Sequence, residues 1–175
     1  MIRSSVIAVV VVLFCSACNI DRRAAREIAE NVGDSLTRAH VTAYIDTIWN
    51  RKDTAYLKFI IAPNIKRTLN GITVADTQRE MKAHLSVFFT AFPDLELTLE
   101  HTYVKDDNAF VQWHSEGTNT GIFSEMVPTG KKVKINGMSQ LYFNKEGKLY
   151  REIVYYNELD LLQQLGYTLV PPVLQ

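Results

Sequence analysis

At Pro93-Asp94 the spacing of apolar residues changes from helical to alternating. Helices must therefore pack against a sheet within this chain. Before it, Val41, Tyr44, Ile45, Ile48 and Trp49 recur at helical spacing. The string "NRKD" at 50–53 breaks this helix, and Asp53 can cap another, with Tyr56, Leu57, Ile60 and Ile61 on one face and Pro63 as its stop. Thr77 and Glu80 have capping-box spacing, and Met81, Leu85, Phe88, Phe89 and Phe92 then give a wide apolar face. After the switch, Leu95, Leu97 and Leu99 alternate with Glu96, Thr98 and Glu100 across 95–104. Further strands are expected over 108–117, 131–143 and 148–157, joined by "KDDN", a long turn-rich rim and "NKEGK". A short helix over 158–166 ends on Gly166. Helices followed by an antiparallel meander imply an α+β fold. A curved sheet wrapped over N-terminal helices would enclose a pocket.

The N-terminus reads as an address. Arg3 precedes "VIAVVVVLF" at 6–14, an apolar run too short to span a bilayer comfortably. "CSAC" at 15–18 looks like a bacterial lipoprotein signal in which Cys18 is lipidated, although Cys15 stands where a Leu is usual. A plain secretory signal and an uncleaved anchor are the other readings. The expected division is a signal over 1–17, a membrane-proximal helical spacer over 18–35, one domain over 36–167 and a tail over 168–175. Within the spacer a helix over 21–33 would start at Asp21 and end at Gly33. The expected location is the cell envelope, with a lipid anchor as the link to the membrane. Both cysteines lie in the first 18 residues, so the mature domain has no disulfide and no thiolate nucleophile. Nineteen basic and 19 acidic residues give zero formal charge, which argues against a nucleic-acid partner. There is no phosphate-binding glycine loop, no G-x-S-x-G and no H-E-x-x-H, and the four histidines lack metal-ligand spacing.

Five strings occur in a telling order: "FPDLEL" at 92–97, "GTNTG" at 117–121, "PTGKKV" at 128–133, "EGKL" at 146–149 and "LLQQLG" at 161–166. Together they resemble the SnoaL-like polyketide cyclase (ester cyclase) family, which has the NTF2-like fold. The resemblance covers roughly residues 36–167. It implies a cone-shaped α+β barrel with a mostly apolar cavity between helices and sheet. It also implies an intramolecular aldol closure of a polyketide ester, with no metal or organic cofactor. Two copies would pair through the outer face of the sheet.

Carried over residue by residue, the family's acid/base Asp falls on Asn157, and the His of its Gly-Thr-x-Thr-Gly string falls on Asn119. An amide can hydrogen-bond a carbonyl but cannot exchange protons near neutral pH. If Asn157 faces inward, so do Tyr155, Ile153 and Arg151, by period two. Trp113 shares parity with Asn119, which sends His114 outward. Gln140 and Met138, or their alternates, face in. The expected pocket is Trp113, Gln140, Tyr155, Arg151 and Phe88, with Asn157 and Asn119 at the catalytic positions. Two functions follow from this. One is a cyclase-type enzyme acting by cofactor-free acid/base chemistry on a small carbonyl or polyketide-like compound. The other is a non-catalytic envelope lipoprotein that holds an apolar small molecule or a partner.

Overall fold

The computed structural model describes the backbone of residues 3–170 and side chains from Arg22 onward. The side chain of Cys18, the expected lipidation site, and residues 171–175 lie outside the described residues. No described helix is long and apolar enough to cross a membrane.

Helix α1 spans Arg3–Tyr44 and runs through Gly33, where a helix end was expected. A mid-helix glycine costs only about 1 kcal/mol, and the turns after it are fastened. The Asp34 carboxylate accepts from the Asp106 amide at 2.8 Å, and the Thr37 hydroxyl donates to the Asp106 carbonyl at 2.8 Å. Arg38 donates to the Thr102 carbonyl at 3.1 Å. The helix then widens into a π-helical turn over Ile45–Asn50, which buries Ile45, Thr47, Ile48 and Trp49 together.

The helix expected from Asp53 to Ile61 is shorter. Asp53 does cap, but only a tight turn over Thr54–Tyr56, followed by one turn of α2 at Leu57–Ile60. Ile61 already opens strand β1, Ile61–Leu69, which pairs with β2, Ile72–Ala75. Asn70 and Gly71 make the turn between them, with φ of 49° and 86°. Both values are positive, as a two-residue hairpin of the tight primed kind requires. Pro63 therefore sits within β1, where the pairing register shifts between Ile61 and Lys66.

Helix α3, Gln78–Ala91, is capped by Thr77, whose hydroxyl accepts from the Glu80 amide. Strands β3 (Glu96–Lys105), β4 (Asn108–Thr118), β5 (Lys132–Phe143) and β6 (Leu149–Tyr156) follow, then α4 at Glu158–Leu165. The sheet order is β2-β1-β6-β5-β4-β3. The meander is antiparallel as expected, but β1 lies parallel to β6, which the sequence reading did not foresee. The inner face of this six-stranded sheet packs on α1, its π-helical turn and α3, and the core sits between them.

The rim between β4 and β5 is held by a buried amide. Asn119 is 1% exposed. Its amide nitrogen donates to the carbonyls of Ala91 at 3.3 Å and Gly121 at 2.9 Å. Its oxygen accepts from the Thr129 amide at 2.8 Å and the Thr129 hydroxyl at 3.1 Å. Asn119 thus clips both ends of the loop to the end of α3. Asn119→Ala leaves buried partners unmatched and is expected to cost about 2–4 kcal/mol, read as a lower denaturant midpoint with unchanged slope. A loss below about 1 kcal/mol would contradict the clip.

Candidate functional site

Between the inner face of the sheet and the helices lies a narrow cavity of about 60 Å³. With the open space at its mouth included, the hollow measures about 720 Å³. Its walls are mainly apolar: Ile45 and Trp49 from the π-helical turn, Phe88 from α3 and Phe92 just after it, and Val111, Trp113, Ile135 and Leu141 from the sheet. Trp113 is 7% exposed and donates from Nε1 to Ser139 Oγ at 2.9 Å. Its register partner is Gly137. A Cβ at Gly137 would come within 2.3 Å of the indole, so glycine makes room for the ring.

A charged centre is set into this wall. Arg67 of β1 and Glu152 of β6 are direct register partners across the parallel seam, each 3% exposed. Arg67 Nη1 pairs with Glu152 Oε2. The Tyr44 hydroxyl donates to the same oxygen at 2.8 Å and accepts from Arg67 Nη1 at 3.3 Å. The guanidinium lies over Trp49, 5.1 Å from the ring centre. Burial works against the charge of Arg67. The attraction of Glu152 outweighs it and holds the group above its ordinary value. Burial, and then the charge of Glu152, push the Tyr44 phenol well above its ordinary value. Tyr44 therefore keeps its proton and serves as a donor.

Three polar groups around this centre have no hydrogen bond among the described residues. Glu152 Oε1 is one, since both bonds fall on Oε2. Arg67 Nε is another, buried and unmatched. The third is the Tyr156 hydroxyl, on a side chain that lines the cavity. Burial first, then the nearby charge of Glu158, push Tyr156 up to about 12, so it too keeps its proton. At the rim, Glu116 is taken up by Lys132 at 3.0 Å and Lys134 at 2.9 Å. These bonds hold its carboxyl down to about 2, too low for a base near neutral pH.

Residues 39–165 match the family model described as SnoaL-like polyketide cyclase. The chain belongs to the SnoaL-like polyketide cyclase family. Solved structures with the same SnoaL-like fold include a protein from Jannaschia sp. CCS1 assigned as a SnoaL-like polyketide cyclase. It is 20% identical, with a TM-score of 0.70 over 80% of this chain and 96% of that one. AclR of Streptomyces galilaeus, assigned as a hydroxylase, is 24% identical, with a TM-score of 0.67 over 76% and 97%. IdmH of Streptomyces antibioticus, assigned as a polyketide cyclase, is 17% identical, with a TM-score of 0.64 over 75% and 99%. At these identities the likeness carries the fold and not the chemistry. Among curated proteins there is no match.

The SnoaL-like frame places the expected site residues in three groups. Trp113 and Phe88 line the cavity. Gln140, Tyr155 and Arg151 stand on the other face of the sheet, where Tyr155 is 58% exposed and Arg151 lies over the Tyr142 ring at 5.4 Å. Asn157 is exposed and outside the cavity. Its side chain caps α4 by accepting from the Asp160 amide at 3.1 Å. The inward expectation failed because Asn157 follows the end of β6, where the chain turns and period two no longer applies. The inward set on β6 is Glu152, Val154 and Tyr156 instead. Asn119 is buried, but as the loop clip described above and not as a cavity wall. His114 faces outward onto Glu100 at 3.0 Å, in keeping with its parity.

Arg67, Glu152, Tyr44 and Tyr156 were missed as site residues. The signal for Arg67 was present in Asn70-Gly71, a strong hairpin dipeptide that turns residues 61–75 into two strands.

His84, on α3, completes the surroundings. Its ring is edge-on to Phe88 at 5.3 Å, and its Nε2 is buried without a partner. Burial first, then the charge of Arg67, lower it from 6.5 to about 4. The unfolded chain takes up this proton as pH falls through about 6.5, while the folded chain resists until about 4. The contribution is therefore fully present above pH 6.5 and is lost between 6.5 and 4. Discounted for the part-exposed ring, it amounts to about 2 kcal/mol. His84→Gln is expected to lose less stability than the parent between pH 7 and 4.5 in denaturant titrations. An equal loss would contradict the assignment.

Proposed function

We propose that this chain takes a small, mostly apolar carbonyl compound of polyketide type into the cavity and moves a proton next to the carbonyl with its own side chains. One observation carries the reading. Glu152 Oε1, on a residue lining an otherwise apolar cavity, has no hydrogen bond among the described residues. A carboxylate oxygen with no protein partner at the wall of an apolar cavity is a proton acceptor where a bound compound would lie. Glu152 thereby takes the role that the exposed amide of Asn157 cannot fill. The polyketide cyclase assignments of the Jannaschia and Streptomyces antibioticus proteins support the substrate class.

The step balances within the site. A C–H bond next to a carbonyl breaks, and its proton goes to Glu152 Oε1. The carbon attacks a second carbonyl of the same molecule. The new alkoxide takes the proton back, and the ring is closed with the protein unchanged. The narrow interior admits only the reacting end, and the wider hollow receives the remainder.

The test is deuterium uptake from heavy water into ethyl acetoacetate, followed by NMR, together with closure of an open-chain polyketide ester. Acceleration over buffer is the expected result. Binding of the ester with neither exchange nor closure would overturn the reading and leave a binding protein.

A further inference from the structure

We infer that Trp113 selects the ligand by width. Seated in a slot made by Gly137 and Ser139, its indole admits a ketone arm that is methyl or straight and refuses one branched next to the carbonyl. This deepens the reading of the cavity as the ligand site and rests on it.

Three register pairs mark the depth of the cavity. Glu152 pairs with Leu141, and both lie with Tyr44 at the closed end, none more than 3% exposed. At the rim, Glu116 pairs with Lys134, and its side chain is 36% exposed. Trp113 pairs with Gly137, and Gly137 with Tyr156, between these two levels. From Gly137 to Leu141 is four residues of β5, about 13 Å. A ligand that enters at the rim and reaches Glu152 therefore passes the indole.

The ring stands there because β5 leaves room for it. The inward positions of β5 run Val133, Ile135, Gly137, Ser139 and Leu141, two small residues among large ones. A Cβ at Gly137 would lie 2.3 and 2.4 Å from two atoms of the indole's six-membered ring. Ser139 Oγ accepts from Nε1, and the bond is buried. The indole thus fills the space that two inward side chains would otherwise take. It cannot swing aside without leaving Nε1 unpaired in an apolar wall. A leucine there would yield to a wide ligand, and a pinned indole does not. From the helices, Trp49 and Phe88 line the same cavity, set edge-on to one another at 6.3 Å. The passage has aromatic rings on both of its walls. A straight arm fits lengthwise between them. Three methyls on one carbon are wide in every direction and do not.

The experiment titrates the purified full-length protein with two esters, followed by NMR. Ethyl acetoacetate carries a methyl on its ketone, and ethyl pivaloylacetate carries a tert-butyl group. On apolar burial alone the pivaloyl ester, with three more carbons, binds the tighter of the two. The parent is expected to reverse that order and favour ethyl acetoacetate by about tenfold or more in Kd. Trp113→Leu opens the space in front of Gly137 and Ser139 and is expected to favour the pivaloyl ester by about threefold or more. Trp113→Phe keeps an aromatic ring in the core, still empties part of the slot and is expected to move the preference the same way. The result therefore does not hang on one variant folding. Ser139→Ala unpins the ring and is expected to shrink the preference without inverting it. Lost packing alone would weaken both esters and leave their order as it was. Binding of neither ester, equal binding in the parent, or an unmoved preference in both Trp113 variants overturns the inference. If deuterium uptake then still depends on Glu152, the base reading stands without it. If the preference holds and inverts while neither ester exchanges, the base reading fails alone.

Discussion

Glu152→Gln is expected to slow protein-dependent deuterium uptake into ethyl acetoacetate by about 10²–10⁴-fold, the usual contribution of a positioned acid/base group. The amide has the shape of the carboxylate. Its oxygen can still accept from Tyr44 and Arg67, which both bond Oε2 in the parent. What it lacks is a site for the substrate proton. The comparison that gives this result meaning is Asn157→Asp, which puts a carboxylate where the resemblance to the family implied one. That side chain is exposed and occupied in capping α4. It is expected to leave the rate unchanged and to improve the cap slightly, since a carboxylate suits a helix N-terminus. A rate lost with Glu152→Gln and not regained with Asn157→Asp locates the base on β6. The opposite pair of results would return it to the end of the strand and sink the assignment.

Arg67→Met is expected to destabilise the protein by about 3–5 kcal/mol, because it leaves the Glu152 charge buried and unpaired. For a chain of this length that is a fall in Tm of roughly 6–20 °C. Removing both charges is not a full remedy, since the buried Tyr44 hydroxyl would then lose both of its partners. Arg67→Met, Glu152→Met and Tyr44→Phe together remove every polar member. The triple variant is expected to melt within a few degrees of the parent or above it, while losing exchange altogether. Matching instability in the single and triple variants would show that shape and not charge makes the site rigid. A stable, inactive triple variant would show that the ion pair is kept at some cost to stability for what it does to a ligand.

Much of the fold was legible in the sequence because its apolar periods are long and clear. The face of α3 and the alternation of β3 through β5 needed only spacing. The site was harder to read, for local reasons. In β6 both parities are mixed: Arg151, Ile153 and Tyr155 on one, Glu152, Val154 and Tyr156 on the other. Hydrophobicity could not say which set faced in, and the resemblance at Asn157 favoured the wrong one. At the start of β1, Ile61 continues the helical spacing of Leu57 and Ile60, and Pro63 suggested a helix stop and not a residue within a strand. With β1 unread, Arg67 had no partner. Asn119 shows the reverse case. A residue picked out by a catalytic motif was conspicuous for a reason, but the reason was the four bonds that fix its loop.

The seam between β1 and β6 has a kinetic side. Arg67 and Glu152 are 85 residues apart in the chain and meet only where those two strands run parallel. Parallel pairing over such a distance closes a long loop before any contact rewards it, and so tends to come late in folding. Until it forms, both charges are hydrated and the cone has an open side. The charged centre is therefore assembled only when that seam closes, and it arrives with the last large piece of sheet.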